Sequence, residues 1–267
     1  MNKFCRLKKI LTGLKSVVIA YSGGLDSTFL LKAAIDTLGK KNVLAVTARS
    51  ETYPDAEYKE ARRIAQDIGA KHLTIYTSEL NIENFRTNPI NRCYYCKKEL
   101  FKRLDEIKKR YRMAYVTDGT NFDDLNDIRY GRKAALELGV KSPLLEAKIT
   151  KADIRNFSKR LKLKTWNKPS FACLASRIPF NSSITAKALN RIDEAERYLR
   201  ELGFKQVRVR LHNHIARIEL ERNDFQRALK FSERITSKLR SFGFAYATLD
   251  LKGYRTGSMH EVHLTRK

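Results

Sequence analysis

The chain has 267 residues, enough for one large domain or two modest ones. Its 42% hydrophobic content is that of an ordinary globular protein, and no apolar run approaches the roughly 20 residues a helical membrane span needs, which excludes that class. Lys plus Arg is 54 against 29 Asp plus Glu, a formal charge of +25 that suits nucleotides, phosphorylated small molecules or nucleic acid as partners, and equally a lysine-rich proteome with solvated charged helices.

The opening MNKFCRLKKILTGLK is basic with scattered apolar residues. It lacks the continuous apolar stretch of a signal peptide and reads as an amphipathic helix. A cytoplasmic setting is therefore expected, in which Cys5, Cys93, Cys96 and Cys173 serve as thiols or metal ligands rather than disulfides. Val17-Val18-Ile19-Ala20-Tyr21 has the β-branched composition of a buried strand. Ser22-Gly23-Gly24 breaks it, and Asp26-Ser27-Thr28 leads into a helix through Ile35. Strand, glycine turn and helix together offer backbone N–H groups and a positive helix end to phosphate. No Lys follows the last Gly as in a Walker loop, and no G-x-G-x-x-G is present. The run Ser-Gly-Gly-Leu-Asp-Ser instead resembles the SGGxDS signature of the ATP pyrophosphatase, or PP-loop, family. That resemblance implies cleavage of ATP between its α and β phosphates, with pyrophosphate released and a substrate adenylated.

A second strand is expected over 42–47, a helix from Pro54 to Ile68 stopped by Gly69, and a third strand over 71–76. This alternation predicts a parallel sheet covered by helices, with ligands at the carboxyl ends of its strands and Ser50 near the nucleotide. A further helix starts near Cys93 and Cys96, whose C-x-x-C spacing puts both sulfurs on one side of its first turn. The helix end with Arg92, Lys97 and Lys98 favours thiolate there. The fourth strand, 114–117, runs into Asp118-Gly119-Thr120-Asn121, followed by Asp123, Asp124 and Asp127. Such carboxylates suit Mg²⁺ on a nucleotide, or cap the helix expected over 127–138, whose Arg129 and Arg132 would face phosphates. Residues 142–145 suggest a fifth strand, and Thr150 caps a helix over 151–161.

Residues 166–179 have little periodicity and carry two prolines, the only Trp and Cys173, as an ordered functional loop does. A different pattern follows: a helix over 186–202, alternating strands over 206–211 and 215–220 around His212-Asn213-His214, a helix over 224–242 and a strand over 245–251. Alternation puts Arg208 and Arg210 on one face, as an anion clamp or as a solvated surface. The expected architecture is α/β: a doubly wound, parallel, five-stranded PP-loop domain (1–165), a cysteine-bearing connection (166–183) and a small antiparallel α+β domain (184–267).

Taken together, SGGLDS, RCYYCKK, DGTNFDDLND, CLASRIP, RVRLHNHIARIEL and LDLKGYRTGSM resemble the LarE-type, ATP-dependent sulfurtransferases over nearly the whole chain. This resemblance implies adenylation of a carboxylate of pyridinium-3,5-biscarboxylic acid mononucleotide and replacement of AMP by sulfur, in the synthesis of the nickel-pincer nucleotide. It assigns Ser22, Gly23, Gly24, Asp26 and Ser27 to the ATP phosphates; their positions at strand ends and the following helix put Ser50, Asp118, Gly119, Asn121 and Arg129 around the nucleotide and Mg²⁺. Arg208 and Arg210, grouped with Arg177, would hold the substrate's phosphate. One branch of the family sacrifices the sulfur of a single cysteine; another holds a [4Fe–4S] cluster on three. Cys93, Cys96 and Cys173 match the cluster branch, whose open iron site could bind sulfide. Assembly of like subunits is also implied. A tRNA thiolase of the same superfamily is the alternative enzyme, and a nucleotide sensor or zinc-stabilised module the non-enzymatic one.

Overall fold

The protein is described from a computed structural model covering residues 2–125, 130–169, 172–255, 257–259 and 261. It divides into two compact units, Met1–Glu79 with Asn91–Phe171, and Leu80–Ile90 with Ala172–Lys267.

The first unit is built on four strands: β1 (Val17–Ala20), β2 (Val43–Arg49), β3 (Lys71–Tyr76) and β4 (Tyr115–Thr117). All pair in parallel, in the order β3-β2-β1-β4. Because side chains alternate across a strand, Val17, Ile19, Val43 and Ala45 face one layer while Val18, Leu44, Val46 and Val116 face the other. β1 and the first part of β2 lie between both layers, which is why Val17–Ala20 and residues 43–46 are apolar at every position instead of every second one. The first layer holds Leu7 and Leu11 of α1 (Lys3–Leu14), Phe29 and Leu30 of α2 (Leu25–Leu38) and Ala61 and Ala65 of α3 (Asp55–Ile68). Gly69 ends α3 in the left-handed region at φ 72°, its N–H returned to Ala65 and Gln66. Next in the chain, α4 (Glu83–Arg86) lies in the segment that groups with the second unit. The opposite layer holds Phe101, Leu104 and Ile107 of α5 (Arg92–Arg110) and Ala134 and Ala135 of α6 (Tyr130–Glu137).

The expected fifth strand is absent among the described residues. Lys141 makes a single parallel bridge to Thr117, and Pro143–Glu146 forms the short helix α7. Pro143 sits in the first turn, where its fixed φ suits a helix and its missing N–H would have broken a ladder. The last helix of the unit, α8 (Lys151–Arg160), opens with a reciprocal capping box between Thr150 and Asp153.

In the second unit, α9 (Ala186–Glu201) precedes β5 (Val207–His212) and β6 (Ile215–Leu220), an antiparallel pair. The expected single helix over 224–242 is interrupted at Phe231, giving α10 (Phe225–Lys230) and α11 (Ser232–Ser241). These carry the chain across so that β7 (Tyr246–Leu249) lies parallel to β6, and the sheet is mixed where an antiparallel one was expected. The segment 80–90 joins this unit through Asn88, fully buried, whose side chain donates to the carbonyls of Ile178 and Pro179 at 3.3 and 2.7 Å. Among the described residues no helix is long and apolar enough to cross a membrane.

Gly23 has φ +63°, and a Cβ there would lie 2.4 Å from Cβ of Ala61, whereas Gly13 on α1 has open space around it. Gly23→Ala should therefore cost about 2 kcal/mol or more, while Gly13→Ala should gain about 0.5–1 kcal/mol, as read from urea unfolding midpoints.

Candidate active site

The strand order reverses at β1: β2 and β3 lie to one side of it and β4 to the other. In sheets of this kind the crevice at the carboxyl ends of the two diverging strands receives ligands. Ser22-Gly23-Gly24 occupies that end of β1 and leads into α2, whose N-cap residue Gly24 makes no side-chain capping bond. The opening N–H groups of an α-helix have no partner within it. The loop is tied to itself through Ser27, whose Oγ accepts from Ser22 N at 3.3 Å, lies 3.2 Å from Ser22 Oγ and donates to the Gly24 carbonyl at 3.3 Å. Around it, the Tyr53 hydroxyl donates to the Ser22 carbonyl at 2.8 Å and the Thr47 hydroxyl to the Tyr21 carbonyl at 2.9 Å. Asp26 pairs with Lys151 Nζ at 3.4 Å, and Lys168 Nζ lies 3.4 Å from the Gly23 carbonyl. Ser50, just past β2, is 3.0 Å from the Thr52 hydroxyl in its own turn.

The other side of the crevice comes from the loop after β4. Gly119 packs on the start of α2: a Cβ there would sit 3.1 Å from Ser27 N and 3.3 Å from the Asp26 carbonyl carbon. Asp118 accepts from Thr120 N, the Thr120 hydroxyl and the Ser142 hydroxyl at 3.2, 2.7 and 2.7 Å, so its carboxylate shapes the loop. Asn121 is wholly buried, and its Nδ2 has no partner among the described residues. Asp123 accepts from Lys151 N at 2.8 Å, linking this loop to the start of α8. Arg129 lies outside the described residues, as does Asp127.

Cys93 and Cys96 fall in the first turn and a half of α5, one exposed and one partly buried, at the i, i+3 spacing that shares a face. Cys173 is partly buried and belongs to the second unit. Among the described residues no group of three His, Cys, Asp or Glu side chains is placed to hold a metal ion.

Within the second unit Arg177, Arg208 and Arg210 are all buried. Arg177 differs from the phosphate-holding part expected of it. Its Nε and Nη2 donate to Glu196 at 2.8 and 3.1 Å, and its Nη1 to the Ala172 and Cys173 carbonyls and the Ser176 hydroxyl at 2.6, 3.1 and 2.9 Å. With no solvent exposure, that guanidinium straps the Cys173 turn to α9. Arg210 donates to the Ser176 carbonyl, Glu219 and the Ser258 hydroxyl at 3.1, 2.8 and 3.0 Å. Arg208 stands 5.4 Å over the Tyr254 ring, and burial, followed by the like charge of Arg177, pushes its pKa down to about 10. A guanidinium so placed carries a field that a bound anion relieves.

The family profile described as NAD synthase matches residues 2–125. An uncharacterized protein of Synechocystis is 42% identical over 263 residues, 98% of each chain. The pyridinium-3,5-bisthiocarboxylic acid mononucleotide synthase of Lactiplantibacillus plantarum is 40% identical over 261 residues, 98% of this chain and 95% of that one. The chain belongs to the LarE-type family of PP-loop sulfurtransferases. An uncharacterized protein of Methanocaldococcus jannaschii is 33% identical over 242 residues, 91% of this chain and 92% of its own.

As a LarE-type enzyme the chain is an ATP-dependent sulfurtransferase. Two of its cations at the loop, Lys151 and Lys168, went unremarked in the sequence. Among 54 basic residues no local pattern sets them apart, and both reach the loop from more than a hundred positions away.

Burial alone would push the Glu196 carboxyl up, but Arg177, then Arg200 and Arg208, outweigh it and hold it below its ordinary 4.5. The stability it contributes is thus complete above pH 4.5 and is lost as pH falls through the lower, folded-state value. Glu196→Gln leaves Arg177 buried without its counter-charge and should cost about 3–5 kcal/mol at pH 7 by chemical denaturation, with less to lose on acidification than the parent.

Proposed function

We propose that this LarE-type enzyme acts in the cytoplasm, as an assembly of like subunits, on a small anionic nucleotide of the pyridinium-3,5-biscarboxylic acid mononucleotide type. The activity for which the Lactiplantibacillus relative is named supports that substrate class. The observation that carries the ATP half is the SGGLDS loop at the reversal of strand order, closed on its far side by Gly119. A substrate carboxylate oxygen attacks the α-phosphorus of ATP, the α–β anhydride breaks, and pyrophosphate leaves. Sulfur then attacks the acyl carbon, the acyl C–O bond breaks, and AMP leaves. The N–H groups of Gly24 and the first turn of α2 receive phosphate oxygens. Asp26 offers an oxygen donor to the Mg²⁺ that accompanies the phosphates, and the buried Nδ2 of Asn121 is a donor with capacity for a ligand. Arg208 and Arg210, on one face of β5, hold the substrate's phosphate, and Arg177 keeps Cys173 in place.

Cys93, Cys96 and Cys173 are soft thiolate donors of the kind a [4Fe–4S] cluster takes, and such a cluster, when bound, supplies a site for the transferred sulfide. With ATP, Mg²⁺, sulfide and the dicarboxylate nucleotide, AMP, pyrophosphate and the thiocarboxylate should form in equal amounts. Protein purified without oxygen should contain iron and sulfide, and Cys93→Ala with Cys96→Ala should lose both while still releasing pyrophosphate. Sulfur transfer by an iron-free protein lacking those two thiols would instead make Cys173 the donor.

A second reading, thiolation of tRNA, has one observation in its favour. A groove of about 640 Å³ beside α3 is lined by Arg49, Lys59, Arg62 and Arg63 with Tyr58 and Tyr76. Under the reading favoured here, tRNA produces no salt-sensitive shift in a binding assay; a shift with a steep salt slope would move the acceptor to RNA.

A further inference from the structure

Two carboxylates of α3, Glu57 and Glu60, stand beside the phosphate loop, an unwelcoming surface for a polyphosphate. Their field is felt at the tyrosines that frame the loop. Burial first, then Glu57, Tyr21 and Glu60, holds the Tyr53 hydroxyl well above its ordinary range. Burial also pushes Tyr21 up to about 12, a hydrogen bond with Thr28 opposing and Glu60 adding to the rise.

One cation answers them. Lys168, its side chain 11% exposed, has Nζ 2.6 Å from Glu60, 2.9 Å from Glu57 and 3.4 Å from the Gly23 carbonyl. The ammonium donates to Glu60 and to the Gly23 carbonyl and is ion-paired with Glu57 as well. An exposed lysine pair gains little over the freedom it gives up, but this one is mostly buried and joins three groups at the nucleotide loop. The contact with Gly23 has a further effect. In a planar trans peptide the C=O and the following N–H point in opposite directions, so fixing the Gly23 carbonyl aims the Gly24 N–H.

We propose that Lys168 is a positioning residue for adenylation: it cancels the charge of Glu57 and Glu60 at the loop and, by holding the Gly23 carbonyl, turns the Gly24 N–H toward the site of the ATP phosphates. This rests on the ATP-binding reading above, and wild-type protein that neither binds ATP nor releases pyrophosphate refutes that reading rather than the role of Lys168.

The test is a charge-swap series on the full chain, read by ATP titration calorimetry and by the ATP KM and kcat of pyrophosphate release. Lys168→Met should weaken ATP binding by about tenfold, with the change in KM larger than that in kcat. Lys168→Arg, which keeps the charge, should restore most of the affinity. Glu57→Gln with Glu60→Gln should bind ATP at least as tightly as the parent, and adding Lys168→Met to that pair should cost much less than it does alone. An undiminished loss in the triple variant would make Lys168 a direct phosphate ligand and overturn the proposal, as would an unaffected Lys168→Met. Should Lys168→Met fail to fold, the Glu57 and Glu60 pair decides alone: weaker ATP binding there also overturns it.

Discussion

Gly23 and Ala61 meet where neither residue can be larger. The glycine takes a φ of +63°, and its missing Cβ would stand 2.4 Å from that of Ala61 on α3. Much of the first unit's site geometry follows from this one close approach. It draws α3 against the turn between β1 and α2, which brings Glu57, Glu60 and Tyr53 to the loop, and with them the need for a compensating cation. Gly119 repeats the device on the other side, packing against Asp26 and Ser27. At both positions the backbone approaches closely because no side chain stands in the way.

Charge is handled by opposite means in the two units. In the first, a few partly exposed pairs adjust the field around a backbone site. In the second, guanidinium groups are buried outright, Arg177 on Glu196, Arg210 on Glu219 and Arg208 over the Tyr254 ring. Burying ions in this way adds little net stability. Its effect is geometric: the Cys173 turn, α9 and β5 are held in one register by hydrogen bonds whose directions are fixed by planar guanidinium and carboxylate groups.

Much was legible in the chain itself. The strand–turn–helix around SGGLDS, the helix beginning at the C-x-x-C pair and the alternating strands around His212-Asn213-His214 are local patterns, and each formed where its residues demanded. Short apolar runs were less informative. Residues 142–145 suggested a fifth strand, and the proline at the first turn decided for a helix. The alternation of β5 placed Arg208 and Arg210 together correctly but was silent on what they touch.

The sequence by itself therefore determined the chemistry-bearing turn, the order of β1 to β4 with their main helices and the two sides of β5, because glycine conformations, capping and side-chain alternation act within a few residues. Only the tertiary structure decided that Lys151 and Lys168 reach the loop, that Arg177 is consumed by Glu196, that 80–90 packs with the second unit, and that β7 runs parallel to β6. Those outcomes depend on partners far along the chain, brought close by the path of the backbone, and a charged residue looks the same in the sequence whichever partner it will find.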